Sequence, residues 1–170
     1  MASRRSLTFI SLLFLLATPV FPGQQALSAT TQDELRRFFE GIDAGASPRI
    51  ADRQLIELDD LRRVYRSRNH RPLWSPGSPL AGESAGLLRS LEESARHGLD
   101  PDRYHLATIR SLVVDADPAA LTALELLLSD AFLAQARHRS SGAVKPPTLD
   151  PGWQLAPDEA DPAALLLLAA

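Results

Sequence analysis

The four histidines are the residues best suited to acid–base catalysis or metal binding, and their spacing argues against both. None belongs to an HxxxH or HExxH pair, the spacings that place a metal site on one face of a helix. Around the turn between His97 and His105, only Asp100 and Asp102 could supply a carboxylate ligand. We therefore interpret the histidines as capping or surface residues and predict no metal and no cofactor. They are His70, His97, His105 and His138.

Adjacent carboxylates occur at Asp59–Asp60, Glu92–Glu93 and Asp158–Glu159. Neighbouring residues of a helix point about 100° apart, so these pairs cannot present two carboxyls to one glycoside. A Ser-His-Asp arrangement stays open, although no serine lies in a GxSxG motif. The sequence has no cysteine, which excludes a thiol nucleophile and a thiolate metal site within this chain.

Five arginines between residues 62 and 71 form a distinctive charged cluster. Guanidinium groups bind carboxylates in a bidentate manner, so Arg62, Arg66 and Arg71 are candidate contacts for an anionic partner. The simpler interpretation, which we favour, is an exposed helix face on which Asp59 supports Arg63 at the i,i+4 spacing. No glycine-rich phosphate loop or nucleic-acid-binding motif occurs, so we predict no nucleic-acid partner.

The first 29 residues have the organisation of a secretory signal peptide. Arg4 and Arg5 precede an apolar stretch over residues 7–20, and small residues follow at Ser28 and Ala29. We predict cleavage after Ser28 or Ala29 and a periplasmic location. An uncleaved anchor is the alternative, but the apolar stretch is shorter than the ~20 residues of a spanning helix. Loss of the leader lowers the basic residues from 18 to 16 against 21 acidic ones, a net charge of −5.

The N-terminal half of the remaining chain predicts two helices and an extended strip. Thr31 and Glu34 form a capping-box pattern, so we expect a short helix to begin at Thr31 within a lead-in over residues 30–46. A second helix is expected from about residue 52 toward Arg68, with a break near residue 59 as an alternative. After it, Trp74 should pin an extended strip to the core.

The longest predicted helix begins at the Asp117-Pro118 dipeptide, a cap followed by a residue suited to the first turn. It should continue to Ser140 or Ser141, and it is apolar on all but a narrow stripe, as in a helix buried in the middle of a domain. The predicted fold class is therefore all-α, a small irregular helical bundle around one long central helix. The stripe comprises Thr122, Glu125 and Ser129, and the expected core anchors are Trp74, Tyr104, Phe132 and Trp153.

The C-terminal residues begin a further helix at Asp161-Pro162, and four leucines follow close to the last residue. Because little sequence remains for Leu165–Leu168 to pack against, we expect these leucines to be exposed. A natural domain rarely ends in this way. We interpret residues 154–170 as the start of a truncated helical continuation and the chain as a fragment.

Three strings in one order resemble a known family. Residues 65–74 read YRSRNHRPLW, similar to a YRxRxxxPLW strip, and residues 97–105 read HGLDPDRYH, similar to an HGLxPxxYH turn. Residues 125–132 read ELLLSDAF and resemble a long scaffold helix, with its exit at Gly142, Val144 and Pro146. Together, over about residues 47–153, they resemble the scaffold domain of the large periplasmic L,D-transpeptidases.

This resemblance implies an all-helical domain that precedes a catalytic domain. In that family a histidine and the cysteine of an SxGCxR-type motif form 3–3 crosslinks between peptidoglycan stem peptides, and no such residue can be assigned in a chain without cysteine. The implied division is signal peptide 1–29, lead-in 30–46, scaffold domain 47–153 and continuation 154–170. The expected partners are the missing catalytic domain and, indirectly, stem peptides. The alternative is a stand-alone periplasmic binding module for cell-wall peptide or a partner protein.

Overall fold

A computed structural model describes residues 22–113, 117–143 and 160–170 of the chain. Most of the predicted leader, the connector 144–159 and with it Trp153 lie outside these residues. A two-stranded antiparallel hairpin of β1 (Arg49–Ile50) and β2 (Arg53–Gln54) precedes the second helix, and 3₁₀ turns occupy Glu93–His97 and Pro101–Tyr104. The α-helices of the described part are α1 (Pro22–Asp43), α2 (Leu58–Ser67), α3 (Ser84–Glu92), α4 (Leu106–Val113), α5 (Pro118–Ser141) and α6 (Pro162–Ala169).

Helix α5 is the centre of the fold, because α1, α2, α3, α4 and α6 all pack against it. Its 24 residues span about 36 Å. The all-α bundle around one long central helix is thereby confirmed. By length and composition α5 could also cross a membrane, but 67% of its most apolar stretch is buried inside the protein. Packing against the surrounding helices is therefore enough to explain its composition.

Helix α1 begins further upstream than the capping pattern predicts. It runs without a break from Pro22 to Asp43, so Thr31 lies inside the helix. The Thr31 hydroxyl donates a hydrogen bond to the carbonyl of Leu27 at 3.0 Å, a bond typical of threonine in mid-helix. The predicted start at Thr31 was wrong because the residues before it extend the same helix. On the inner side of α1, Leu35 and Phe39 are buried in the core.

The second helix begins at Leu58, after the hairpin, rather than near residue 52, so the alternative with a break near residue 59 is the one that the structure supports. In the hairpin Ile50 pairs with Arg53. The two turn residues between them, Ala51 and Asp52, have φ angles of 45° and 61°. Such positive φ values are those of a tight two-residue hairpin turn, which is why the helix cannot start there.

The terminal helix α6 packs against α2 and α5. Leu166 is fully buried, so the expectation that the terminal leucines have nothing to pack against was wrong for this side of the helix. An ion pair fastens the start of α6, because Arg63 of α2 donates to the Asp161 carboxylate, with one nitrogen at 2.7 Å. Leu165 and Leu168 face outward and are 46% and 84% exposed.

Candidate functional site

A buried carboxylate on α5 holds the strip that follows α2. Glu125 accepts hydrogen bonds from the backbone amides of Leu73, Trp74 and Ser75, the last two at 3.0 Å. It also accepts from the hydroxyls of Ser75 at 3.0 Å and Tyr65 at 2.8 Å. Burial raises the pKa of the Glu125 carboxyl, and the hydrogen bonds oppose that rise. Burial, and next the Glu125 charge, raise the pKa of Tyr65 well above its ordinary value.

Ser129, one turn further along α5, completes this network. Its hydroxyl lies 2.7 Å from the Tyr65 hydroxyl and accepts a hydrogen bond from the Trp74 indole nitrogen at 2.8 Å. A nucleophilic serine needs a general base within hydrogen-bond reach. The partners of Ser129 are a phenol and an indole, and its side chain is buried. Its role here is therefore structural.

Asp130 and His105 form a second buried contact, with the carboxylate 2.7 Å from Nε2 of the imidazole. Asp130 also accepts hydrogen bonds from the amides of Ile56 at 2.9 Å and Glu57 at 2.8 Å. A catalytic histidine would face a nucleophile with its other nitrogen. Here that nitrogen lies 3.5 Å from Nε of Arg53. The pair therefore joins the hairpin, the second 3₁₀ turn and α5, and His105 completes no Ser-His-Asp arrangement within the described residues.

Tyr104 and His138 connect the second 3₁₀ turn to the last turns of α5, with the hydroxyl 2.9 Å from Nδ1 of the imidazole. Burial, followed by the charges of Arg103 and Arg137, lowers the pKa of His138. Burial raises the pKa of Tyr104. His138 also shares a cavity of about 420 Å³ with His97. No group of three or more potential metal-ligating side chains occurs in the described part of the chain.

Two of the three arginines predicted as partner contacts are already paired within the fold. Arg62 lies 3.3 Å and Arg66 2.6 Å from the carboxylate of Asp43, the last residue of α1. Arg71, the third, is exposed and forms no ion pair with the residues that the structure describes. The structure therefore does not bring the three together as one anion-binding face.

The predicted support of Arg63 by Asp59 does not form. Asp59 instead lies 3.8 Å from Arg62, at the i,i+3 spacing. Arg63 pairs with Asp60 at 3.0 Å and with Asp161 of α6. The hydrogen bonds from Arg63 lower the pKa of Asp161, which is consistent with this ion pair.

An apolar groove of about 590 Å³ lies between α3, α5 and the end of α6. Trp74 and Phe132 form its aromatic wall, with ring centroids 6.5 Å apart, and Ala169 lines it from the last turn of α6. Leu165 shares a face of α6 with Ala169, four residues later, and with Leu168, three residues later. The apolar surface of the groove therefore continues over the outside of α6.

A comparison with known protein families identifies the family of this chain. The family described as the Scaffold domain matches residues 59–170, from α2 to the end of α6. The chain belongs to the Scaffold domain family. No curated protein and no solved structure matches it.

The family match covers residues 59–170 and includes α6, whereas the resemblance covered about residues 47–153. Of the side chains expected to anchor the scaffold domain, Trp74 and Tyr104 are buried. Phe132 is partly buried and packs against the core cluster. Trp153 lies outside the described residues, and its predicted role stays a prediction.

The buried polar side chains that connect the parts of the scaffold domain were not predicted as site residues from the sequence. Glu125 and Ser129 stood out only as members of a narrow polar stripe, and Asp130 and Arg137 were not singled out. Arg137 binds the carboxylate of Glu57 at 3.0 Å and also contacts Asp60. Charged residues inside an otherwise apolar helix were the available signal, since burying a charge is costly unless it is paired.

Proposed function

We propose that this scaffold domain is the non-catalytic part of a peptidoglycan L,D-transpeptidase, the enzyme class that forms 3–3 crosslinks between stem peptides. The observation that carries the proposal is the position of residues 65–74, the end of α2 and the strip that follows it. Tyr65, Leu73 and Trp74 belong to the string that resembles the transpeptidase family, and they are the residues that Glu125 and Ser129 hold against α5. The residues that match the family's string are thus the same residues that make these buried contacts with α5.

The role that the geometry supports is positioning of a neighbouring domain rather than chemistry. The sequence contains no cysteine, so this chain offers no thiolate for acyl transfer. The buried side chains that could otherwise do chemistry, Ser129, His105 and Asp130, are each bonded to loops or to neighbouring helices. These bonds give the scaffold domain a fixed shape.

We assign the apolar groove and the outer face of α6 as the surface that contacts the catalytic domain. Leu168 is 84% exposed and Leu165 46%, next to a groove with an aromatic wall. A continuous exposed apolar surface of this kind commonly marks an interaction site. Residues that follow Ala170 in a longer protein would emerge beside this groove, because Ala169 lines it.

The genomic sequence after codon 170 gives the first test, and we expect an in-frame continuation that encodes a cysteine motif. That catalytic domain, produced separately, should bind the scaffold domain in isothermal titration calorimetry. The double variant Leu165→Asp/Leu168→Asp should weaken binding by at least about tenfold, since buried charges replace apolar contacts. Val113→Asp is the matched control, because Val113 is exposed on α4.

Chemistry by this chain itself would contradict the proposal. After incubation with a carbapenem or a stem peptide, the chain should keep its unmodified mass in intact-mass spectrometry. A covalent adduct, or crosslinking by the chain alone, would show that the chain is catalytic. If the double variant bound the catalytic domain as tightly as the unsubstituted chain, the assignment of this surface would be wrong.

A periplasmic location is part of the same proposal. It is supported by the leader pattern and by the exposure of α1 before Thr31, since Ala26, Leu27 and Ala29 face outward. Cleavage after Ser28 or Ala29 would leave the buried face of α1, which begins at Thr31, intact. Mass spectrometry of the exported product should give an N-terminus at Ala29 or Thr30. A product that keeps Met1 and sediments with membranes would support the uncleaved anchor.

A further inference from the structure

A polar cavity of about 410 Å³ lies beside the strip that follows α2, and Pro72 of that strip lines it. Its walls come from the N-terminal part of α1, the end of α2 and the loop over residues 76–79. Arg68 and Arg71 line it, together with Gln32 and Ser78. The Gln32 side chain is itself fixed, because it donates a hydrogen bond to the carbonyl of Asn69 at 2.7 Å.

The two arginines of this cavity differ from their neighbours on α2. Arg62 and Arg66 are paired with Asp43, whereas neither Arg68 nor Arg71 pairs with a carboxylate among residues 22–113, 117–143 and 160–170. Within the same residues, Nε of Arg68 is buried and has no hydrogen-bond partner. A buried donor without a partner destabilises a protein unless water or a ligand accepts its hydrogen bond. The cavity therefore combines two arginines whose positive charges no carboxylate of these residues neutralises.

The remaining walls indicate which anion would fit. Pro72, Pro76 and Pro79 line the cavity and have no amide hydrogen to donate. The backbone at these positions therefore cannot build the concave group of amides that commonly holds phosphate. Recognition depends on the guanidinium groups, whose planar fork matches a carboxylate or a phosphate. The proline rings offer rigid apolar surfaces to a short extended peptide, which favours a carboxylate that a peptide carries.

We propose that Arg68 and Arg71 bind a carboxylate of a peptidoglycan stem peptide, which makes this cavity a substrate-holding site on the scaffold domain. The identity of the peptide rests on the proposed function, whereas the preference for a carboxylate rests on the cavity. The site and the apolar groove share no lining residue. It can therefore be occupied while the groove contacts another domain.

Signal-peptide cleavage would change one wall of this site. Ser28 and Ala29, which flank the predicted cleavage positions, both line the cavity. Cleavage after Ala29 would remove both and widen the entrance on the α1 side, whereas cleavage after Ser28 would remove Ser28 alone. Gln32 and both arginines stay in place in either case. Cleavage after Ala29 would also create an α-ammonium group at Thr30, next to the cavity. This added positive charge favours an anionic ligand.

The experiment is a titration of the purified full chain with a synthetic stem tetrapeptide that carries free carboxylates, followed by calorimetry and NMR. The same peptide with its carboxylates amidated, and inorganic phosphate, are the comparison ligands. We expect the free acid to bind and Arg71→Gln to weaken it by about tenfold or more, the loss expected for one charge-assisted hydrogen-bond pair. Arg66→Gln is the matched control, since it removes the same charge from a neighbouring arginine that Asp43 already occupies.

Three results would overturn the assignment. The first is an affinity for the amidated peptide equal to that for the free acid. The second is a loss of affinity in Arg66→Gln equal to the loss in Arg71→Gln. The third is phosphate that binds as tightly as the peptide and displaces it. Arg68→Gln gives a second measurement, and its folding is checked by circular dichroism because Arg68 is partly buried. Binding is measured without a catalytic domain, so failure of the docking proposed for the groove would leave this result unaffected.

Discussion

The carboxylate of Glu125 lies 3.0 Å from the backbone amide of Trp74, so a buried charge on the central helix holds the strip that contributes Trp74 to the aromatic wall of the groove. The same carboxylate receives four further hydrogen bonds, from Leu73, Ser75 and Tyr65. Burying a charge is costly, and this cost is offset only while all its partners are present. The shape of the groove therefore depends on a contact inside the core.

Replacing Glu125 with alanine should destabilise the domain strongly. The change leaves three amides and the Ser75 hydroxyl without their acceptor and removes one of the partners of the Tyr65 hydroxyl. The loss in free energy of unfolding should be about 3–5 kcal/mol, as for one partner removed from a buried charged network. Urea denaturation followed by circular dichroism measures it. Glu93→Ala is the matched control, because Glu93 is exposed beside α3 and should leave the midpoint nearly unchanged. Equal midpoints for the two variants would contradict the role given to Glu125.

Leu166 and Leu168 test whether α6 belongs to the folded core. Leu166→Ala should lower the free energy of unfolding by about 2–5 kcal/mol, the usual cost of truncating a buried leucine. Leu168→Ala, two residues away and 84% exposed, should change it by less than about 0.5 kcal/mol. Chemical denaturation of both variants measures the difference. If both changes were small, α6 would not be packed on α2 and α5 in solution.

The helices were largely predictable because their signals are local. Asp117-Pro118 and the apolar pattern placed α5, which runs from Pro118 to Ser141 as expected. The start of α1 was not predictable from Thr31 and Glu34. A capping box describes four residues, whereas the helix is continued by the residues before them.

The contacts of the site could not be predicted because their partners are distant in sequence. Glu125 bonds to residues about fifty positions away, and Arg66 pairs with Asp43 across 23 positions. The residue types were therefore visible in the sequence, but which residues form hydrogen bonds or ion pairs with one another was not. As a result, Arg62 and Arg66 were grouped with Arg71, although only Arg71 has no ion-pair partner within the described residues.

The stability of the domain should fall in mildly acidic solution, with His138 as one cause. The pKa of His138 is lowered from its ordinary value of 6.5, mainly by burial and then by Arg103 and Arg137. The unfolded chain then binds a proton at a higher pH than the native state does. The native state therefore keeps its full stability above about pH 6.5 and loses it as the pH falls through the lowered pKa.

Free energies of unfolding measured from pH 5 to 8 test this dependence. His138→Asn should flatten the profile at its acidic end, because the variant lacks the imidazole whose pKa burial and the two arginines lower. His70→Asn separates a second contribution, since burial, followed by Arg36 and Arg66, also lowers the pKa of His70. An unchanged slope in both variants would assign the acid sensitivity to other groups.

The buried Asp130 should contribute more to the free energy of unfolding than the exposed Asp59 of α2. Asp130→Asn replaces an acceptor of two backbone amides with a group that also carries donors, and it removes the charge facing His105. We expect a loss of about 2 kcal/mol or more in the free energy of unfolding. Asp59→Asn makes the same chemical change at a side chain that is 98% exposed and should leave stability nearly unchanged. Hydrogen exchange adds a local measurement, because the Ile56 and Glu57 amides should lose protection only in Asp130→Asn. If their protection were unaltered, Asp130 would not be what fastens the hairpin to α5.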